Sequence, residues 1–401
     1  MTWLLLAAML LQSVDYQAEG IKALDAKHYD AAAELFQKAI AQDPQDFGAH
    51  FQLALAYSLS NRDADAIPEY KKVLELKPGL YEAELNLGIC LLRAKDPAAA
   101  VPYLRAAAET KPKEPRPAYF YAQALLDSGQ DAEAAFANAI VLNPSSAPAE
   151  AGLAQALART GKLGEAEPHF RKAAALDPAF KNGLLQLAQM FEDKKQAAEA
   201  IALYREFPEN PGAQERMGAL LMQSGKIAES IPALEAVVAK SPTPPNRVAL
   251  AEAYLANKQP EKAMPVLEQA LQSDPNNFEL RMFCGRVYRD QRKFAPAAAH
   301  FFRATELKPD SQRAWSELAG VMIATEQYPQ ALVALDRAYR AGWRNNSYYY
   351  FRALSFDHLH QLKDALADYN KFLESSQGQF PDEEFKARQR ARIIQNELNK
   401  K

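Results

Sequence analysis

Two cysteines, six histidines and three tryptophans in 401 residues leave little material for metal or redox chemistry. Cys90 and Cys284 stand far apart, and His358-Leu359-His360 is the tightest histidine pair. Its i, i+2 spacing turns the two rings to different faces of a helix, so an exposed helix end and turn is the better reading than a metal site. An excess of charge is also missing: 47 Lys and Arg stand against 50 Asp and Glu, for a formal charge of −3. There is accordingly no basic face to hold phosphates, so no nucleic-acid partner is expected, and no acidic tail. No glycine-rich phosphate loop, nucleophile elbow, Cys-x-x-Cys or His-Glu-x-x-His occurs. An enzyme is not expected, and neither a cofactor nor a metal is.

Long apolar runs are absent as well. The one candidate, Met1–Leu11 (MTWLLLAAMLL), falls short of the about 20 apolar residues that span a bilayer. It reads as a candidate secretory signal, since regular sequence begins directly behind it. Its start carries no Lys or Arg and Leu11-Gln12-Ser13 is a poor cleavage site, so the alternative is an apolar segment covering the first unit of the chain. An exported location (periplasm, cell envelope or medium) is expected, with the cytoplasm as the alternative.

What is present is repetition. Pro44, Pro78 and Pro112 stand 34 residues apart, and Pro144, Pro178, Pro242, Pro275 and Pro309 continue the series. Most follow a polar residue that closes an apolar-periodic run, the place for a residue that cannot continue a helix. The eighth position of each unit is Gly or Ala without exception, from Gly20, Ala54 and Gly88 to Ala319 and Ala353. Twelve residues later comes a second small residue (Ala32, Ala66, Ala100; Ser230 once), and four after that a large apolar one such as Phe36, Tyr70, Leu104 or Phe301. Small positions let two helices approach, and the large side chain fills the groove beside them. Cys90 and Cys284 fall inside first helices several units apart; buried small side chains explain them best.

This arrangement resembles the tetratricopeptide repeat family, and the resemblance covers about Ser13 to Gln379 in eleven units. It implies an all-α fold, a right-handed superhelical solenoid of antiparallel helix pairs with repeats and little else. We divide the chain into an apolar segment 1–12, repeats one to six over 13–210, repeats seven to eleven over 211–379, and a C-terminal capping helix over 380–401. Phe385, Ala387, Ala391, Ile394 and Leu398 form the expected apolar stripe of that cap, with Arg388, Arg390 and Arg392 on its solvated side. The sixth unit departs from the pattern: its second helix runs into Pro208-Glu209-Asn210-Pro211-Gly212 four residues early. The expectation there is an irregularity separating two arms; the alternative is a tight connection that leaves the stack continuous. Prolines such as Pro68, Pro102 and Pro168 are expected in the early turns of second helices, where they are tolerated.

The resemblance also implies that a concave wall of first helices holds extended or helical peptides. The partner is then a protein or peptide, with a membrane involved only if the N-terminal segment is retained. On that pattern the groove residues are Phe51, Leu85, Ile89, Tyr119, Gln123, Gln155 and Gln189, then Arg286, Arg289 and Tyr350. Along this wall the chemistry passes from apolar through amide and acidic to basic. Lys and Asn expected of the chaperone-tail clamp are replaced by Gln17, Ile21, Phe51 and Leu55, and the asparagine ladder of sugar-transferring relatives is represented by Asn86 alone. Neither specialisation is expected. The functional expectation is a non-catalytic interaction scaffold; the alternative is an envelope assembly component tethered by its apolar N-terminus.

Overall fold

The computed structural model describes residues 15–399, so the expected signal or tether at 1–12 lies outside the described residues, as do the last two lysines. The chain falls into two compact units that part between Leu203 and Tyr204. The first contains the pairs α1 (Tyr16–Asp25)/α2 (Tyr29–Gln42), α3 (Phe47–Leu59)/α4 (Asp63–Leu76), α5 (Tyr81–Arg93)/α6 (Pro97–Thr110), α7 (Pro115–Asp127)/α8 (Glu133–Leu142) and α9 (Ala147–Arg159)/α10 (Leu163–Leu176). It closes with α11 (Asn182–Asp193) and α12 (Ala197–Tyr204), whose final residue begins the second unit. The eight residues of α12 compare with 14 in α4, α6 and α10.

The second unit contains α13 (Pro211–Gln223)/α14 (Ile227–Lys240), α15 (Pro244–Ala256)/α16 (Pro260–Ser273), α17 (Phe278–Asp290)/α18 (Phe294–Leu307), α19 (Gln312–Ala324)/α20 (Tyr328–Arg340) and α21 (Asn346–His358)/α22 (Leu362–Ser376). A final helix, α23 (Pro381–Asn399), packs on α22. No strand occurs among the described residues, and no helix there is long and apolar enough to cross a membrane. Consecutive helices pack on one another from α1 to α11 in the first unit and from α13 to α23 in the second, the all-α solenoid of antiparallel pairs that the repeat implied.

The pairing follows from residue size. Ala32, Ala54, Ala66, Ala122 and Ala154 are fully buried, and so are their counterparts Ala251, Ala263, Ala297 and Ala353. Phe36, Tyr70, Leu104, Phe136 and Phe301 are fully buried against them. A Cβ added to Gly20 would lie 2.6 Å from the Phe36 ring, and one added to Gly285 would lie 2.5 Å from Phe301. The small eighth position is therefore the floor on which the large residue of the same pair rests. Cys90 and Cys284 are fully buried in α5 and α17, and burial pushes both thiols up, Cys284 to about 12.

Capping decides where helices start and stop. Asp46 accepts from Gly48 N at 2.8 Å and from Ala49 N at 3.2 Å, and Asp96, Ser146, Asn210, Asn277 and Ser311 cap their helices likewise. Each turn inside a pair places one residue at positive φ, from Lys27 (61°) to His360 (58°). The next amide then bonds back five residues, as from His28 to Ala23 O or Asp96 to Leu91 O, both at 2.9 Å. Most of these left-handed positions are not glycine, which the sequence pattern did not reveal. Where glycine is used, the space is open: nothing lies within 4 Å of a Cβ built on Gly161 (φ 85°). Gly161→Ala should therefore cost about 1 kcal/mol through the backbone alone, seen as a lower urea midpoint with unchanged slope. An unshifted midpoint would show that the turn is not held in this conformation.

Three expectations need correction. Pro68, Pro102, Pro168, Pro232 and Pro265 each stand sixth in their helix, past the first turn, so each removes an intrahelical donor and the helix nonetheless continues. On α23 the buried stripe is Glu384, Ala387, Ala391 and Ile394, with Leu398 half-buried, while Phe385 is 64% exposed. The 3-4-3 spacing extended backwards from Ala387 lands on Glu384. Its carboxylate is buried because it accepts from Gly378 N at 2.7 Å and pairs with Arg388 at 2.8 Å. Arg390 is not simply solvated either: it reaches to the buried Asp357 of α21.

His300 on α18 stacks on Tyr288 with ring centroids 5.5 Å apart and lies 3.4 Å from Glu268. Burial holds its imidazole below the ordinary histidine value; Glu268 opposes this and Arg281 adds to it. The folded state thus resists a proton that the unfolded chain accepts near pH 6.5. This contribution is present above that pH and is lost as pH falls. His300→Phe should keep the stack and reduce the stability lost between pH 7.5 and 5.5, as measured by urea denaturation. A variant as pH-sensitive as the parent would rule out His300 as the source.

Candidate partner-binding surface

In the first unit, first helices touch one another directly: α1 with α3, α3 with α5, α5 with α7, α7 with α9 and α9 with α11. In the second unit α19 touches α21 in the same way. These helices form a layer of their own, and residues on its free side can face a partner.

On the first unit's layer the expected residues differ in availability. Phe51 is half-buried, its ring edge-on to Tyr70 at 5.7 Å. Leu85 is 5% exposed and belongs to the core, whereas Ile89 one turn on is half-buried. Tyr119 lies edge-on to Phe120 and Phe136, and burial raises its phenol. Gln123 donates to Asp127 at 2.8 Å and Gln189 to Asp193 at 3.0 Å, each along its own helix. Gln155 is exposed and lines a cavity of ≈ 390 Å³ with Arg159, Gln186 and Met190.

In the second unit the two expected arginines separate. Arg289 is paired with Glu317 of α19 and with Asp290, so its charge is spent within the protein. Arg286, one turn earlier, has no hydrogen bond or ion pair with any described residue. It lies between two adjoining cavities of ≈ 400 and ≈ 530 Å³. Pro244, Val248 and Glu252 line the first, Leu255, Pro260 and Asp290 the second, and Phe283 is common to both. Tyr350 packs against Tyr369 and Phe372, and burial raises its phenol. Among the described residues no group of three or more His, Cys, Asp or Glu could hold a metal.

A family model described as tetratricopeptide repeat matches residues 18–81, 122–179, 152–214 and 285–346, more than half of the chain. A second model of the same description matches 64–124, 91–137, 221–287 and 254–305. The chain is a tetratricopeptide-repeat protein. Solved structures similar to this repeat protein include MamA MSR-1, at 24% identity over 41% of this chain and 95% of that one, with a TM-score of 0.39. MamA AMB-1 is 26% identical over 41% and 99%, also at 0.39. A structure of Naa15/Naa10 bound to HypK-THB is 13% identical over 95% and 79%, at 0.40.

Within the repeat frame, sequence reasoning missed Phe283. It stands at the sixth place of its unit, outside the four positions expected to face inward, directly after the fully buried Met282. An aromatic beside a core residue, with Arg three positions on, was the signal that could have found it. Val248 and Leu255 do stand at inward places of the preceding unit, and the groove between α15 and α17 needed all three.

Proposed function

We propose that this tetratricopeptide-repeat protein is a non-catalytic scaffold that holds polypeptide partners on the free side of its first helices. The observation that carries this reading is the groove between α15 and α17. Its apolar walls, Val248, Leu255 and Phe283, surround an arginine with no partner among the described residues. An unpaired arginine beside an aromatic supplies much contact energy when a partner removes its water. In the first unit Phe51, Ile89 and Tyr119 offer half-buried apolar surface of the same kind.

The test compares polypeptides that co-purify with wild type, Arg286→Glu, Tyr119→Ala and Lys226→Glu, the last an exposed cation in the turn between α13 and α14. Partners should be lost from the first two variants and retained by the third. Equal recovery throughout would move the contact off the first helices.

The apolar run Met1–Leu11 favours a second reading, an exported scaffold or envelope component tethered at that end. Deleting residues 1–12 should then abolish export or membrane association and leave partner binding intact. Unchanged fractionation would discard the tether.

A further inference from the structure

The geometry points to an anion-binding pocket where the capping helix meets the last helix pair. A cavity of ≈ 410 Å³ opens there, lined by Tyr350, Leu354 and Asp357 of α21, Tyr369 of α22, and Lys386 and Arg390 of α23, with His358 and His360 beside them. The ligand class is a phosphate or carboxylate, free or carried on a short apolar stem. This site is separate from the groove between α15 and α17, and the inference does not rest on the polypeptide reading.

The argument starts from Asp357, 8% exposed at the inner edge of the pocket. Arg390 donates to both of its oxygens, Nε to Oδ2 at 2.6 Å and Nη2 to Oδ1 at 2.9 Å, and the Tyr369 hydroxyl donates to Oδ2 at 3.3 Å. The one carboxylate lining the cavity is thus already occupied. The same fork fixes the Arg390 guanidinium at the wall and leaves Nη1 without a partner among the described residues. Lys386 stands one turn before Arg390 on the same helix, exposed and likewise without a partner. Arg390 balances Asp357, so Lys386 is the one charge among the lining residues left unbalanced, with Glu383 acting on Tyr350 and Glu397 on Arg390 from outside the lining.

The remaining walls suit the stem of such a ligand. Tyr350 and Leu354 present a half-buried apolar surface, and Tyr350 is held by Tyr369 and Phe372. His358 stacks on Tyr328 with ring centroids 4.3 Å apart, which fixes its position at the rim. A charge held by a rigid ion pair next to aromatic faces is preorganised, so little ordering cost remains when an anion arrives. Arg390 also docks the cap, so an anion bound here contacts both the cap and the pair beneath it.

The probe is phenyl phosphate, titrated into the full chain and followed by calorimetry, with inorganic phosphate and phenol in parallel. Phenyl phosphate should bind saturably, and more weakly as salt rises. Lys386→Glu should weaken binding by about tenfold or more, and Lys226→Glu should not. Both lysine side chains are exposed and make no bond with any described residue, so thermal melts of the two variants should match wild type. Competition by inorganic phosphate at similar concentration assigns the site to free phosphate. Binding of phenyl phosphate without such competition assigns it to an anion on an apolar stem. Absence of saturation, or equal binding by Lys386→Glu, overturns the inference, and so does phenol binding as well as its phosphate.

Discussion

Phe301→Ala should destabilise the second unit by about 3–5 kcal/mol, read from urea denaturation. Phe301 is fully buried on Gly285, with Ala297, Ala304, Ala314 and Ala319 in the same cluster. Neighbours already this small cannot swell to fill the cavity left by a phenyl ring, so little of the loss is recovered by collapse. The converse substitution, Gly285→Val, should overpack the same contact, at a cost of about 1–3 kcal/mol. A loss below about 1 kcal/mol for Phe301→Ala would mean that the small-on-large contact does not hold the pair together.

Arg352→Met should cost about 3–5 kcal/mol. Arg352 on α21 donates from Nη2 to Asp368 Oδ1 at 2.6 Å and from Nη1 to the Tyr348 hydroxyl at 2.6 Å, and its Nε bonds Asp368 Oδ2. Asp368 on α22 has a side chain only 2% exposed, so the substitution leaves a buried carboxylate with no cation. Hydrogen bonding to Asp368 holds the guanidinium far above its ordinary value, with burial opposing. The double variant Arg352→Met/Asp368→Leu should regain most of the loss, because removing both charges also removes the penalty for burying them. Failure of the double variant to recover would assign the cost to packing around Tyr348 instead.

The fold was legible because its information is carried by residue size at fixed intervals. Ala54 and Tyr70, or Gly88 and Leu104, announce a contact regardless of what surrounds them, and eleven repetitions make the period unmistakable. The cap was legible as a helix but not in its rotation. Phe385 looked like the natural start of the stripe, yet Glu384 is buried in its place. Its carboxylate reaches the amides of Gly378 and Phe380, partners that exist only once the preceding turn has folded. Turns inside the pairs were half-legible: Gly129 and Gly161 advertise positive φ, while Lys95 and Arg292 adopt it silently because the closing hydrogen bond holds them there.

The binding surface was less legible. Its positions follow from the repeat, but availability depends on which neighbours consume a side chain. Leu85 and Ile89 are one turn apart, and one is core while the other is half-buried. Arg286 and Arg289 are likewise one turn apart, and only Arg289 meets Glu317, a residue 28 positions away that no local pattern connects to it. Phe283 was missed because helix rotation is finer than a four-position rule.

The most direct test places a photo-crosslinking residue at Val248, in the groove between α15 and α17, and separately at Val333, 60% exposed on the second helix α20. Full-length protein is irradiated in its native extract, and adducts are identified by mass. A scaffold that works through its first helices predicts polypeptide adducts from Val248 that Arg286→Glu removes, and none of comparable yield from Val333. Equal adducts from both positions, or adducts from Val333 alone, would contradict it.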